Sequence, residues 1–327
     1  MTRLFRALKS VFSSNPAPSP SKQLGLALVK IDGAILEDHN FPRPQWKIIR
    51  EWIKQNIAGE DIPSAWQEIA FDWLSLLRDR LSGNYSVNRS QNFLLLTSRS
   101  GVGVESILGT SESAVQNLVR WLGPIAEKRG NGPHVILDFA NLEKYYDYVS
   151  HFHPPDSHTI ASGGMFLGRG YQHIALPPSN GMQDVLIHEL THNRLSHLSL
   201  PLWVEEGIAV TMERRIGGNK QGRLDRELDR KHRAYWSPET IAAFWSGDSF
   251  RNPVGEISHL SYSLAETLVD LMVQEFANFM GFVARADRRD AGQEAARETF
   301  DVSLKDIAAA YLSEGEWTSG IIVETEK

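Results

Sequence analysis

Three residues on one predicted helix have the types and the spacing that bind a catalytic metal ion. His188, Glu189 and His192 form a His-Glu-x-x-His motif within residues 183–193. Four helical residues turn through about 400°, so the two imidazoles lie one turn apart and ~40° from each other. Two imidazoles in this arrangement can bind one zinc ion. Glu189 lies ~100° round the helix from His188, where its carboxylate can reach a water at the metal without being a ligand.

A third ligand is available on the helix that follows. Residues 196–201 can form a turn, and Pro201 opens a second predicted helix that carries Glu205 and Glu206. A carboxylate on this helix, packed antiparallel to the first, would face the two histidines. Two histidines, one glutamate and a water form a catalytic zinc arrangement. The apolar residues around the motif predict a buried helix, and a metal ion would compensate the cost of burying its polar side chains.

These two segments resemble the gluzincin metallopeptidases, and more narrowly their peptidase-MA-like branch. His-Glu-Leu-Thr-His is followed here by Leu-Trp-Val-Glu-Glu-Gly-Ile-Ala, and in this branch the glutamate directly before the glycine binds the zinc. The resemblance implies that Zn²⁺ is held by His188, His192 and Glu206, with Glu189 as the general base. Glu205 occupies the variable position of the pattern, so it is interpreted as a group that supports the ligands or lies on the surface.

The resemblance, which covers about residues 160–280, concerns two further positions. In this branch a tyrosine on a later helix can stabilise the oxyanion of the tetrahedral intermediate, which implies that role for Tyr262, with His259 as the alternative. Packing within a helical bundle is the other interpretation of Tyr262. Related aminopeptidases carry a glutamate that holds the α-amine of the substrate, but this chain has Phe166 there. Phe166 argues against an aminopeptidase, although an edge strand can still bind an extended peptide.

Composition excludes several other kinds of site. The chain has 327 residues and no cysteine, which rules out a thiol nucleophile, an iron–sulfur cluster and a Cys-type zinc finger. Its 34 basic and 40 acidic residues give a net charge of −6, which argues against a nucleic-acid partner. The resemblance makes a peptide or protein the expected substrate.

Two other polar features are interpreted as structural and not as binding sites. His151, His153 and His158 could form a second metal site, but no carboxylate spacing supports one, so they are interpreted as loop histidines near the cleft. The charged run from Arg214 to Arg233 predicts an exposed helix with salt bridges rather than a site for an anionic partner.

The hydrophobic pattern predicts a mixed half followed by a helical half. The predicted strands cover residues 24–31, 92–97, 134–139 and two short segments between 163 and 177. A helix is predicted from Thr110 or Ser111 to Leu122, and the pattern is almost entirely helical from Gln183 onward. The predicted fold class is therefore α+β. It combines a small mixed β-sheet and the motif helix with a mainly helical C-terminal half, and is zincin-like.

Three regions are predicted along the chain. Residues 1–23 form a basic amphipathic segment with a Pro/Ser linker, residues 24–88 a Trp-rich subdomain, and residues 89–327 the zincin-like domain. No apolar run approaches the roughly 18 residues that a membrane span needs. The first region resembles an organelle transit peptide or a weak membrane-surface anchor, with a frayed tail as the alternative. A cytoplasmic location is the expectation if this segment neither targets nor anchors the chain.

The predicted function is that of a zinc-dependent metallopeptidase. Two alternatives stay open at this point. The first is a non-catalytic binding module stabilised by zinc, against which the intact Glu189 argues, because metal binding alone does not require it. The second is a helical interaction protein in which the motif has arisen by chance.

Overall fold

The computed structural model describes residues 23–36, 41–81, 83–127, 130, 132–152, 163–179, 181–218, 226–252 and 254–318. The predictions for residues 1–22, for His153 and His158 and for the middle of the charged run lie outside these residues.

The described strands form one five-stranded mixed sheet and one small hairpin. In chain order they are β1 (Ile35–Leu36), β2 (Arg43–Pro44), β3 (Ser86–Arg89), β4 (Phe93–Thr97), β5 (His134–Asp138), β6 (Met165–Leu167) and β7 (His173–Leu176). β1 pairs with β2, and the main sheet has the order β3-β4-β5-β7-β6. The three central strands are parallel, whereas both edge strands, β3 and β6, run antiparallel to their neighbours.

Helices cover both faces of this sheet and make up almost all of the chain after β7. The first four are α1 (Trp46–Asn56), α2 (Ile62–Arg80), α3 (Val102–Leu122) and α4 (Leu142–Val149). The next four are α5 (Gln183–Leu195), α6 (Leu202–Gly217), α7 (Arg226–Tyr235) and α8 (Pro238–Ser246). The last four are α9 (Gly255–Met272), α10 (Phe276–Arg285), α11 (Gln293–Phe300) and α12 (Leu304–Leu312).

The sheet separates two hydrophobic cores because successive strand residues point to opposite faces. On β4, Phe93 and Leu95 belong to the core shared with α3, α5, α6 and the later helices. Their neighbours Leu94 and Leu96 belong to a second core formed with α1, α2 and α4. All five residues of β4 are therefore buried, as expected for a parallel strand covered on both faces.

The predicted order of a mixed half and a helical half is confirmed. A small mixed sheet precedes the helix that carries the His-Glu-x-x-His motif, and helices follow it. The strands predicted at 92–97 and 134–139 and the pair between 163 and 177 are present with small changes in their ends. None of the described helices is long and apolar enough to cross a membrane.

The strand predicted at residues 24–31 is wrong. Backbone N–H groups that would bind a neighbouring strand instead donate to two carboxylates of α2. Leu26 donates to Glu68 Oε2 at 2.8 Å, and Leu28 donates to Asp72 Oδ2 at 2.7 Å. The segment therefore binds along α2 and contains only a short 3₁₀ turn at Leu28–Lys30.

The predicted start of the third helix is also wrong, because α3 begins at Val102 instead of at Thr110 or Ser111. Gly101 adopts a positive φ of 51°, which glycine permits at the entry to the helix. Ser111 does not cap the helix: its buried hydroxyl donates to the carbonyl of Ile107 one turn earlier.

Candidate metal centre

The motif lies on a helical hairpin formed by α5 and α6. Pro201 precedes α6, and its carbonyl accepts the N–H of Val204 at 3.0 Å, which closes the first turn of the helix. The buried indole of Trp203 anchors this end of α6 by donating to the carbonyl of Ala291 at 2.9 Å. The hairpin places the motif face of α5 against the face of α6 that carries Glu206.

Three side-chain atoms converge where the two helices meet. His188 Nε2 and His192 Nε2 are 3.1 Å apart, and they lie 3.3 and 3.4 Å from Glu206 Oε2. Tetrahedral ligands at zinc bond lengths of about 2.0–2.2 Å are separated from one another by about 3.3–3.6 Å. Glu206 Oε2 is buried and has no hydrogen-bond partner in the described structure. The spacing and the orphaned oxygen both fit a site for one metal ion.

Each histidine is oriented by a second carboxylate on α6. His192 Nδ1 lies 3.0 Å from Glu205 Oε1, and His188 Nδ1 lies 3.3 Å from Glu213 Oε2. A carboxylate at Nδ1 fixes the tautomer of an imidazole and directs its Nε2 towards the metal position. Glu205 thus supports a ligand, which is one of its two predicted roles. Glu213 is not predicted from the sequence, although it lies seven residues after Glu206, two turns along the same helix face.

These carboxylates favour the protonated form of both imidazoles before any metal binds. Burial lowers the pKa of His188, but the neighbouring carboxylates of Glu206 and Glu213 outweigh burial and raise the pKa to about 9. His192 behaves in the same way, with Glu206 and Glu205 raising its pKa well above the ordinary value. Burial opposes ionisation of Glu206, but the two histidines hold its pKa far below the ordinary range. A metal ion that binds at neutral pH must therefore displace protons from the histidines.

Glu189 lies beside the three converging atoms without joining them. Its side chain is buried, and Oε2 accepts a hydrogen bond from the backbone N–H of Phe166 at 2.6 Å. Oε1 makes no hydrogen bond to the part of the chain that the structure describes. Burial is the main cause that raises the pKa of Glu189. A carboxylate held at one oxygen, with a raised pKa, can exchange a proton at the other.

Phe166 belongs to β6, the edge strand that runs past the motif. Two glycines before this strand let the chain approach α5 closely. A Cβ atom on Gly164 would lie 2.6 Å from Val185 Cγ1 and 2.9 Å from Leu176 Cδ2. The fold therefore requires glycine where the strand enters the site.

Tyr262 lies on α9, close enough to the site for its phenol to feel the charges of Glu206 and Glu189. Gly207 makes this possible, because a Cβ atom there would lie 2.6 Å from the carbonyl oxygen of Ala265 on α9. Burial, followed by the negative charges of Glu206 and Glu189, raises the pKa of Tyr262, so the phenol stays protonated beside both carboxylates. His259, the predicted alternative, is exposed, and its charge acts on His232 and Glu256.

The remaining polar predictions have different outcomes. His151 Nδ1 lies 2.6 Å from the carbonyl of Asp147, and its proposed partners lie outside the described residues. In the described residues, the last part of the charged run, α7, is an exposed helix with salt bridges, and Lys231 pairs there with Glu256 at 2.9 Å. At the start of the run, the prediction of an exposed helix is wrong, because Arg214 on α6 pairs with the buried Asp270 of α9.

Within the described ranges, one group of three side chains can hold a metal ion: His188, His192 and Glu206. Comparison with models of known protein families finds no match. Comparison with curated protein sequences finds no significant match.

Proposed function

We propose that this chain is a zinc-dependent metallopeptidase of the gluzincin type. The observation that carries the proposal is the triangle of two imidazole nitrogens and one carboxylate oxygen, with edges of 3.1, 3.3 and 3.4 Å. The buried carboxylate of Glu189 beside this triangle supplies the second requirement, a proton acceptor. In this proposal the sheet and the α5–α6 hairpin form a zincin-like fold.

Zinc suits this donor set better than other common ions. Two imidazoles and one carboxylate are a mixed nitrogen and oxygen ligand set, which suits zinc. Magnesium and calcium prefer oxygen ligands alone. Three protein ligands leave one tetrahedral position for water or substrate, which is the pattern of catalytic zinc. When bound, zinc would polarise the carbonyl group of the substrate and lower the pKa of water.

The side chains of this protein then have distinct roles. Glu189 accepts a proton from the attacking water at its carboxylate and delivers it to the leaving amine. Its hydrogen bond to Phe166 N–H keeps the carboxylate in place during both transfers. The protonated hydroxyl of Tyr262 donates to the negative charge that develops on the carbonyl oxygen. β6 is an edge strand of the described sheet, and an edge strand can bind an extended peptide by backbone pairing.

One observation favours a second candidate, a non-catalytic module stabilised by metal. Glu189 has a structural contact of its own, because it ties β6 to α5 through Phe166 N–H. That contact gives Glu189 a structural role that does not require catalysis. Metal binding without hydrolysis would identify this second function.

The metal ligands are tested by measuring zinc bound per chain in the purified protein. The unchanged protein is expected to bind about one zinc ion, and His192→Ala and Glu206→Ala are each expected to lose it. His197→Ala is the matched control, because His197 is the exposed histidine at the end of the same helical segment. Equal zinc binding by all four proteins would reject the site.

The role of Glu189 is tested separately with Glu189→Gln, which keeps the shape and removes the base. This variant is expected to retain zinc and to lose about 10²–10⁴-fold in the rate of peptide cleavage, as is typical for loss of a general base. Unchanged cleavage would exclude Glu189 as the base. If the unchanged, zinc-loaded protein cleaves no member of a peptide library, the binding module is supported instead.

A further inference from the structure

We propose that a cavity at the end of α5 binds a small carboxylate or phosphate anion on the side chain of Arg194. The cavity has a volume of about 560 Å³, and its lining includes Arg50, Trp66, Tyr171, Gln172, Asn193 and Arg194. It lies between the turn that joins β6 to β7 and the residues just before β5. The proposed peptidase function gives these residues no role.

Arg194 is a buried cation without a counter-ion. Its side chain is only 4% exposed, and Nε and Nη1 are buried with no hydrogen-bond partner. Within the described residues, no carboxylate lies at ion-pair distance from its guanidinium. Glu112 attracts the guanidinium only from beyond ion-pair distance, and its carboxylate accepts hydrogen bonds from Ser90 and Asn92. The guanidinium group of arginine is a cation at neutral pH.

A buried guanidinium without partners is costly to the folded state, because its lost hydration is not replaced. An anion in the cavity, which Arg194 lines, would replace the lost hydration of the guanidinium with hydrogen bonds. Carboxylate and phosphate groups match the planar, forked donors of arginine with two parallel hydrogen bonds. Both anions share this chemistry, and the experiment below separates them.

The rest of the lining suits a small ligand with one anionic end. Arg50 is exposed at the cavity and adds a second positive charge, against one exposed acidic residue, Glu127. The side chains of Gln172 and Asn193 supply amide groups. The rings of Trp66 and Tyr171, whose centroids are 5.9 Å apart, form an apolar wall.

This cavity is separate from the candidate metal centre. Arg194 follows His192 by two residues on α5, so the two side chains leave the helix ~200° apart. None of His188, Glu189, His192 or Glu206 lines the cavity. Its occupation can therefore be measured independently of hydrolysis.

The test is a calorimetric titration of the full-length protein with inorganic phosphate and, separately, with acetate, at a constant ionic strength set with sodium chloride. We expect saturable binding of at least one anion near one equivalent. Phosphate alone would identify a phosphate site, and acetate alone or both would identify a site that accepts carboxylates. Arg50→Gln is expected to weaken binding about two- to tenfold, whereas Arg120→Gln, at an exposed arginine outside the cavity, should leave it unchanged.

Arg194→Met removes the buried charge at similar volume. It is expected to weaken anion binding by about tenfold or more, because charge-assisted hydrogen bonds are lost. It should also leave the thermal midpoint of the anion-free protein unchanged or higher, since an unpaired buried charge is gone. Absence of saturable binding, or equal binding by Arg194→Met or by Arg50→Gln, would overturn the proposal. Equal binding by these variants is also the result expected if phosphate bound at a metal ion instead.

Discussion

Glu205 and Glu213 contact the two site histidines at Nδ1, on the opposite side of each ring from Glu206. Each carboxylate lies next to an Nδ1 atom, at 3.0 and 3.3 Å, so that both Nε2 atoms face Glu206. All three glutamates are on α6, which makes this helix the source of the negative charge at the site. In the proposed zinc site, the strength of metal binding would therefore depend on residues that are not ligands.

We predict that Glu205→Ala and Glu213→Ala each weaken zinc binding by about 10–100-fold, because an imidazole without its carboxylate partner is less basic and less well oriented. Competition with a chromogenic zinc chelator would measure this. Glu298→Ala is the matched control, since Glu298 is an exposed glutamate on α11, and it should bind zinc like the unchanged protein. Unchanged affinity in both test variants would mean that the Nδ1 contacts do not tune the metal.

The sequence predicts the motif residues better than the carboxylates that orient them. The four-residue spacing of His188 and His192 is a local property of one helix, and Glu206 was chosen through a family resemblance. Glu213 belongs to neither the His-Glu-x-x-His motif nor the segment that carries the family resemblance. Its seven-residue distance from Glu206 was a usable signal, but only once the face of α6 that meets α5 was known.

The contact between α6 and α9 brings Tyr262 to the metal-binding residues. It depends on Gly207 and on an ion-pair cluster in which Arg214 contacts Glu266 and the buried Asp270. At Gly207 the backbone of α6 packs directly against the backbone of α9, so the two helices cannot separate without displacing Tyr262.

We predict that Gly207→Ala destabilises the protein by about 1–3 kcal/mol, because the new methyl group would overlap the carbonyl of Ala265. Urea unfolding followed by circular dichroism would measure the change. Gly109→Ala on α3 is the control, since a Cβ atom there meets nothing within 4 Å. It should stabilise the protein by up to about 1 kcal/mol through helix propensity. Equal stability of the two variants would show that α6 and α9 can move apart at no cost.

Elements with strong local patterns were predicted, and elements decided by distant partners were not. The buried apolar runs of β4 and β5 are present as expected. Residues 24–31 have a similar apolar pattern, but Glu68 and Asp72 bind their backbone, and no local rule anticipates that. The start of α3 was missed because Gly103 and Gly109 weaken the helical signal over its first two turns.

At the scale of the whole molecule, the sheet isolates a second core that contains a buried histidine, His173. Its Nδ1 lies 2.7 Å from the carbonyl of Tyr171, and its Nε2 lies 2.8 Å from the hydroxyl of Tyr148. The neutral ring satisfies both contacts, with Nδ1–H donating and Nε2 accepting. Burial lowers the pKa of His173 to about 4 from its ordinary value of 6.5.

The unfolded chain therefore takes up a proton at His173 as pH falls through 6.5, whereas the folded chain does so only near pH 4. The stability that the neutral ring contributes is present above pH 6.5 and lost between pH 6.5 and 4, by a few kcal/mol at most. Urea midpoints over this range should fall less in His173→Gln than in the unchanged protein. His197→Gln, at an exposed histidine, should keep the full decrease; the same slope in all three would exclude His173 as the cause.

The three converging donors lie on consecutive helices, whereas Tyr262 belongs to a helix that follows two others. During translation, α5 and α6 therefore leave the ribosome before α9 does. The three donors need only one short loop closure to meet, so they can converge before α9 has joined the folded part. An ion bound by them would favour the folded hairpin, on which α9 docks later, so the proposed metal site would be complete before the proposed oxyanion donor reaches it.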